Sequence, residues 1–283
     1  MALSLEMLRQ VNSSMMQAQG GGASVITVRR AVALLGLDGI RRAAGSLRTW
    51  PGTLAEEPAA RLQRVIDQVR LAAATAQAMR PPGYDGEVIH LVVMLQNLGR
   101  LLVAYHFPDE AEQIRQLMRP SPPPPGSEPG THELPGLGED LASLAVLGVD
   151  IDALGAAAAK HWGLGDEVQA MMRRVPRDRP VRTADGDADM LRVLGSAANE
   201  VVESLQQTDP RKLIAQLGVI ANRYHRVLGL DLRGVKEALE AARQAVRDGA
   251  MPVSRGDEAA DKATSEPVAD DAGPDTGRGG LAA

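Results

Sequence analysis

The chain of 283 residues contains no cysteine. This absence excludes disulfide bonds, thiolate nucleophiles and zinc sites built on cysteine, and it suits a reducing compartment, so we expect a cytoplasmic protein. Aromatic residues make up only 2% of the sequence, although 44% of it is hydrophobic. The apolar residues are mainly Ala, Leu and Val, which favours helices packed through small aliphatic side chains over β-sheet. The composition therefore predicts an all-α protein.

An excess of positive charge and a long uninterrupted apolar run are also missing. The formal net charge is -5, whereas proteins that bind phosphate backbones carry clustered Lys and Arg, so nucleic acid is not expected as a partner. The first residues, "MALSLEMLRQVNSS", show no basic segment followed by an apolar one. The longest apolar run, "VIHLVVMLQNLGRLLVAY", is interrupted by His90, Gln96, Asn97 and Arg100, and a membrane span needs about 20 consecutive apolar residues. We interpret this run as a core helix and expect no membrane association.

Hydrophobic periodicity places helices along most of the chain. The most regular pattern runs from Arg61 to Met79, where apolar residues recur with the spacing of one helix face. Pro108 suits the first turn of a further helix. Three amphipathic helices are predicted near the C-terminus, and they form a helical extension over 185–248: they cover Asp189 to Gln206, Arg211 to Leu228 and Leu232 to Val246.

Two segments have compositions that disfavour a packed structure. Residues 119–137 form a Pro/Gly-rich insertion that includes "RPSPPPPGSEPG", which is interpreted as a loop; the alternative is a ligand for an SH3-type domain. Residues 249–283 are rich in Asp, Gly, Ala, Pro and Ser. Because they bury too little apolar surface to offset the entropy of ordering, a disordered tail is expected there.

Few side chains are arranged for chemistry. The five histidines occur singly on different predicted elements, and no HExxH, P-loop or GxSxG pattern is present. Arg29, Arg41 and Arg42 lie in arginine pairs, as does Arg174 beside Arg173. Such pairs either form a patch for an acidic partner or a cyclic dinucleotide, or they lie on solvated helix faces. No cofactor is expected.

Two adjacent amides, Gln96 and Asn97, stand in the middle of the most apolar stretch. Buried amides are tolerated when each donor and acceptor has a partner. Neighbouring residues of a helix point about 100° apart, so one amide can face inward while the other lies at the edge of a groove. Both a structural role and a role in ligand contact are therefore open.

Four stretches carry a family resemblance: "LSLEMLRQVNSSMM", "ITVRRAVALLGLDGIRRAA", "VVMLQNLGRLLVAYHFPDEAEQI" and "LGVDIDALGAAAAKHWGLGDEVQAMM". In this order they resemble the HDOD family, the HD-related output domain of bacterial signalling proteins. The resemblance spans roughly residues 3 to 175, and Ile151 departs from the usual histidine of the fourth motif. The matching positions are Asn12, Ser13, Leu35, Gly36, Gly99, Gly155 and Trp162.

The resemblance implies an HD-like helical domain over 1–178 and a degenerate catalytic centre. In HD phosphohydrolases the third motif carries a His-Asp doublet that binds metal, and Gln96 and Asn97 occupy those positions. The preceding helix offers Ile66 and Asp67, so only one carboxylate of the usual set remains. Amides bind divalent ions poorly, whereas such enzymes need imidazoles and carboxylates. The resemblance thus implies no metal and no catalysis.

The expected function is a non-catalytic output or scaffold module in bacterial signalling. Family resemblance implies kinase, receiver or cyclic-di-GMP turnover proteins as partners. The alternatives are a small-molecule or cyclic-nucleotide sensor and, with its ligands missing, a metal-dependent phosphohydrolase. The resemblance begins in mid-motif at Leu3, so the domain is expected to be N-terminally incomplete, with uncovered apolar surface and self-association as consequences.

Overall fold

The computed structural model describes residues 2–17, 27–47, 55–121, 134–207 and 209–249. These ranges contain helices and no strand, apart from an isolated bridge between Ser121 and Leu134, which confirms the predicted all-α class. The helices are α1 Ala2–Gln17, α2 Val28–Leu47, α3 Glu56–Ala78, α4 Gly86–Gln96, α5 Leu98–His106, α6 Pro108–Leu117, α7 Glu139–Leu147, α8 Ile151–His161, α9 Asp166–Met172, α10 Asp187–Ser204, α11 Pro210–Leu228 and α12 Leu232–Arg247.

The centre of the fold is formed by α3, α4 and α10. Small buried residues on α3, among them Ala72, Ala73 and Ala76, let neighbouring helices approach closely. Twelve of the eighteen residues of α10 are buried, which leaves few of its positions for solvent. Because packing of apolar faces supplies most helical stability in proteins, these three helices hold the others in place.

The three predicted C-terminal helices are confirmed as α10, α11 and α12. One hydrophobic cluster includes Met7 of α1, Val93 of α4, Leu194 of α10 and Ala238 of α12. The C-terminal helices therefore share the core of the preceding helices. The predicted division of the chain between residues 178 and 185 does not coincide with a break in this core.

Local sequence signals explain several helix ends. Asp85 accepts hydrogen bonds from the backbone N–H groups of Glu87 and Val88 at the start of α4, as an N-cap does. Pro108 occupies the first turn of α6, as predicted. In α2, Gly36 has φ 60 and ψ -174, and the helix is kinked there. A residue with a Cβ rarely adopts that φ, which accounts for glycine at the kink.

The long apolar run forms two helices, so the prediction of one continuous core helix is wrong. The helices α4 and α5 meet at Asn97 with a bend of 51°. At Asn97 the backbone leaves the helical region, with φ -110 and ψ 7, and its N–H donates to Met94 O at 3.1 Å. This 3₁₀-type bond tightens the last turn of α4 and ends it.

No single helix in the described ranges is long and apolar enough to span a bilayer. Two pairs of helices that are bent at their junctions, α4–α5 and α7–α8, reach the length and apolar composition of a membrane span when each pair is counted together. Most residues of α4 are buried inside the protein.

Residues 122–133 of the predicted loop, and the predicted tail beyond Gly249, lie outside the described residues.

Candidate functional site at the junction of two core helices

The junction between α4 and α5 brings polar groups into the most apolar part of the fold. The carbonyl oxygen of Gln96, at the end of α4, accepts hydrogen bonds from Arg100 Nη1 and Arg174 Nε, each at 3.3 Å. The carboxyl end of a helix carries a partial negative charge, so two guanidinium groups are favourable there. The break in the helix thus leaves a carbonyl oxygen that accepts hydrogen bonds from two arginine side chains of the protein.

The Gln96 side chain is 3% exposed and has a partner for each of its polar atoms. Its Nε2 donates to the backbone oxygens of Met171 and Arg192, both at 3.0 Å. Its Oε1 accepts from Nδ2 of Asn199 at 3.0 Å. The amide therefore ties α4 to α9 and to α10.

The Asn97 side chain is satisfied in the same way. Its Nδ2 donates to Val93 O at 2.8 Å and to Asn199 Oδ1 at 2.9 Å, and its Oδ1 accepts from the guanidinium group of Arg174. Gln96, Asn97 and Asn199 form one connected group, named here the amide cluster. Of the two interpretations left open by the sequence, the hydrogen bonds favour the structural role for both amides.

Charged side chains border the amide cluster. Arg100 Nε donates to Glu139 Oε1 at 2.8 Å, and Arg100 Nη1 lies 3.3 Å from Asp152 Oδ1. Arg174 forms an ion pair with Glu203, and Glu203 also forms an ion pair with Arg177. These six residues are named the arginine–carboxylate rim: Arg100, Arg174, Arg177, Glu139, Asp152 and Glu203.

The electrostatics of this rim follow from burial and mutual pairing. Burial acts to lower the pKa of Arg100, but the charges of Glu139, Glu203 and Asp152 outweigh it and raise that pKa above its ordinary value. Burial acts to raise the pKa of Glu203, but Arg174 and Arg100 bring it below the ordinary value. Paired charges of this kind are costly to separate, so Arg100 holds α5 to α7 and α8, and Glu203 holds α10 to the segment that follows α9.

A glycine of α10 makes room for the amide cluster. A Cβ at Gly195 would lie 2.9 Å from Oε1 of Gln96 and 3.1 Å from Nε2 of the same side chain. Such distances are too short for ordinary contact, so the Gln96 amide needs glycine at this point of α10. Nothing in the spacing of the surrounding sequence indicates this requirement.

The family positions Gly99 and Gly155 meet where α5 crosses α8. A Cβ on Gly99 would lie 1.9 Å from the backbone oxygen of Ile151, and a Cβ on Gly155 would lie 2.8 Å from the backbone nitrogen of Gly99. The two helices are in backbone contact at this crossing. Only glycine fits at both positions without moving a helix.

The family positions Asn12, Ser13 and Trp162 also come together. Ser13 Oγ donates to Trp162 O at 3.2 Å, and Gly163, with φ 77, leaves room for the backbone oxygen of Asn12. The Asn12 side chain is buried and donates to Leu8 O at 2.8 Å. Asn12, Ser13 and Trp162 therefore join α1 to the turn after α8. Leu35, the remaining family position, lies beside Gly36 at the kink of α2 and is partly buried.

Asp67 lies apart from these groups, on an exposed face of α3. It accepts a hydrogen bond from Gln63 Nε2 at 2.8 Å and lines a shallow pocket of about 240 Å³ with Leu71, Val202 and Leu205. In the described ranges, no group of three or more His, Asp or Glu side chains is placed to hold a metal ion. The residues of the junction do not fit the metal centre of an HD enzyme. The role of Asp67 as a remnant of that centre stays a prediction.

The three arginines predicted as an interaction surface lie on α2 and are exposed. The backbone N–H of Arg29 donates to Glu87 Oε1 at 3.0 Å, and Arg41 pairs with Asp38 at 3.3 Å across one helical turn. Arg42 is exposed on the same helix. Their role in binding stays a prediction.

Sequence reasoning missed most of the partners of the two amides. The sequence groups Arg174 with arginines of solvated helix faces, but its side chain is only 12% exposed and contacts Asn97. Asn199 lies 103 residues from Gln96 and shows no local signal. A single asparagine on the apolar face of a predicted helix, among Leu194, Ala198 and Val201, is the one indication that the sequence offers.

His90 on α4 supplies a prediction for the dependence of stability on pH. Burial, together with the charge of Arg70, lowers the pKa of His90 from 6.5 to about 4. Between pH 6.5 and 4 the unfolded chain binds a proton at His90 that the folded chain does not bind. The contribution of neutral His90 to the free energy of unfolding is therefore complete above pH 6.5, and it is lost as the pH falls towards 4. The loss attributable to His90 is expected to reach about 3 kcal/mol.

The measurement is urea denaturation at a series of pH values, for the wild type and for His90→Asn. The difference in unfolding free energy between the two proteins should change between pH 7 and 4, with the wild type losing more. His106, which is exposed on α5, provides the matched control through His106→Asn. A constant difference between wild type and His90→Asn across this range would refute the assignment.

Comparisons with known proteins bear on residues 1–125 and on the fold. The family model of the HDOD domain matches residues 1–125. The crystal structure of the MmoQ response regulator from Methylococcus capsulatus str. Bath is 20% identical and covers 84% of each chain, with a TM-score of 0.55. The crystal structure of a protein named "Putative phosphohydrolase" from Shewanella amazonensis SB2B is 16% identical, with a TM-score of 0.41. The match covers 86% of this chain and 82% of that protein's chain. No curated protein matches the sequence.

Proposed function

We propose that this protein is a non-catalytic output or scaffold module of bacterial signal transduction, and the match of the HDOD family model to residues 1–125 supports this proposal. It acts by presenting helical surfaces to other proteins. Its partners are signalling proteins such as kinases, receivers or enzymes of cyclic-di-GMP turnover, as the family resemblance implies. It works in the cytoplasm without nucleic acid.

The observation that carries this proposal is the completeness of the amide cluster. An HD-type hydrolase holds a divalent ion with imidazoles and carboxylates and lowers the pKa of the bound water. Here Gln96 and Asn97 are neutral, and Asn199, Arg174 and three backbone oxygens occupy their polar atoms. Binding an ion at these amides would break hydrogen bonds that cost about 1–3 kcal/mol each to leave unmet.

The arginine–carboxylate rim supports the same conclusion. The charged groups that border the junction are paired with each other: Arg100 with Glu139 and Asp152, and Arg174 with Glu203. Moving one of these helices would leave a buried charge without its partner, so the pairing disfavours other arrangements of the helices. A rigid arrangement of helices suits a module that must present one surface to a partner.

Metal analysis and a phosphodiesterase assay test the proposal. The purified full chain is incubated with Mn²⁺, passed through a desalting column and analysed by elemental mass spectrometry, and hydrolysis of bis(p-nitrophenyl) phosphate is followed with Mn²⁺ present. We expect no stoichiometric metal and no turnover above the rate in buffer.

Gln96→Leu is the control variant for this experiment. Turnover that persists unchanged in this variant would identify a contaminating hydrolase. Turnover by the wild type that disappears in Gln96→Leu, while the variant keeps its helical circular dichroism, would overturn the proposal.

A further inference from the structure

Six large apolar side chains lie exposed on one part of the surface. They come from the end of α6, the start of α7 and the segments next to both. Their exposed fractions lie between 39% and 55%. They are named the α6–α7 patch: Leu117, Met118, Leu134, Leu137, Leu141 and Leu144.

Backbone contacts hold this patch together. The N–H of Leu137 donates to Leu117 O at 2.9 Å, and Ser121 and Leu134 exchange two backbone hydrogen bonds at 3.0 and 2.9 Å. Leu141 and Leu144 are one turn apart on α7, so their side chains are neighbours. The segment after α6 and the segment before α7 are therefore paired through their backbones, and Leu141 and Leu144 follow this pairing on α7.

The area of the patch suits a pair of identical copies. Six leucine-sized side chains at these exposures contribute roughly 500 Å² of apolar surface, which is near the upper end for a monomeric protein. Two copies that cover each other's patches would bury roughly 1,000 Å² in total, which is close to the lower limit of specific interfaces. The expected association is reversible.

Among the described residues, two exposed side chains of opposite charge are adjacent in sequence to members of the patch. Arg119 follows Met118 and is exposed, and Asp140 precedes Leu141 and is exposed. Within the described ranges, neither side chain forms an ion pair or a side-chain hydrogen bond. The charge of Arg119 acts on the neighbouring helix turn: burial, followed by the charges of Arg61, Arg64 and Arg119, lowers the pKa of Arg115. An additional carboxylate beside Arg119 would relieve this repulsion.

We propose that two copies of this chain pair through the α6–α7 patch about a two-fold axis, with Arg119 of each copy beside Asp140 of the other. In a two-fold interface, residue i contacts residue j and residue j contacts residue i, so one cation and one anion at the edge of an apolar patch give two ion pairs. A strongly acidic or strongly basic partner would match only one of these charges. The inference does not depend on the proposed function.

Analytical ultracentrifugation of the full chain over a range of concentrations is the first test. We expect an equilibrium between monomer and dimer, and we expect Leu141→Glu with Leu144→Glu to raise the dimer Kd by about 100-fold, because charges would be buried in the interface. Val219→Glu is the matched control, since Val219 is 68% exposed on α11, away from the patch by sequence and element. This control should leave the Kd unchanged.

Mixing two charge variants tests the pairing itself. Arg119→Asp places two acidic groups on each copy and Asp140→Arg places two basic groups on each copy, so both charge pairs become repulsive and each variant alone should have a Kd raised by about 10-fold or more. An equimolar mixture restores both opposite-charge pairs between unlike copies. We expect the mixed dimer to form with a Kd within about threefold of the wild type.

Several results would overturn the proposal. One is a wild-type chain that stays monomeric at its highest soluble concentration, as it would if another segment of the chain or a different protein covered the patch. Another is a dimer that is insensitive to the Leu141 and Leu144 substitutions. A third is a mixture of the charge variants that associates no better than either variant alone, because two-fold pairing of Arg119 with Asp140 requires rescue between unlike copies.

Discussion

Gly99→Ala is expected to lower the free energy of unfolding by about 4 kcal/mol, a large effect for a single methyl group. The added Cβ would lie 1.9 Å from the oxygen and 2.9 Å from the carbon of the Ile151 carbonyl. Both atoms belong to the backbone of α8, so no change of side-chain rotamer relieves the overlap. The helices α5 and α8 must separate, and the neighbouring packing is lost with them. Alanine gains about 1 kcal/mol of helix propensity over glycine, which offsets only a part of this cost.

Urea denaturation followed by circular dichroism measures this effect, and Gly218→Ala is the matched control. Gly218 lies within α11, and a Cβ added there would meet no atom within 4 Å, so alanine should stabilise the protein by up to about 1 kcal/mol. Gly155→Ala should also destabilise, and its effect should not add to that of Gly99→Ala because one separation of the helices relieves both overlaps. Equal stability of Gly99→Ala and the wild type would show that α5 and α8 are not in backbone contact.

Much of the fold could be predicted from the sequence, because its signals are local. The apolar spacing between Arg61 and Met79 predicts α3, and similar spacing predicts α10, α11 and α12. Pro108 and the acidic residues after it mark the start of α6. The order of short motifs predicts the family, which is confirmed over residues 1–125.

The geometry of the site could not be predicted in the same way. The spacing of apolar residues continues across Asn97, so it does not reveal that α4 ends there. Asn97 ends α4 in contact with Arg174 and Asn199, which lie 77 and 102 residues away along the chain. Periodicity reports which face of a helix is buried, but it does not report which other helix covers that face. The central place of α10 in the core was missed for this reason.

Asn199→Leu is expected to lower the free energy of unfolding by about 3 kcal/mol. Leucine has a similar size, so the change removes hydrogen bonds without leaving a large cavity. Oε1 of Gln96 would lose its donor, and one N–H of Asn97 would lose its acceptor, while both side chains stay buried at 3% and 5% exposure. Each unmet group costs about 1–3 kcal/mol, and the gain in apolar burial offsets a part of the sum.

Asn222→Leu on α11 is the matched control, because Asn222 is exposed and its replacement should change stability by less than about 0.5 kcal/mol. Combining Asn199→Leu with Gln96→Leu then separates the pair interaction from the rest of the cost. The double variant no longer buries an unmatched Oε1, so its loss of stability should be smaller than the sum of the two single losses by about 1 kcal/mol or more. Strictly additive losses would mean that the two amides do not depend on each other. In that case the hydrogen bond between Asn199 Nδ2 and Gln96 Oε1 would add nothing to stability, and the amide cluster would not act as one connected group.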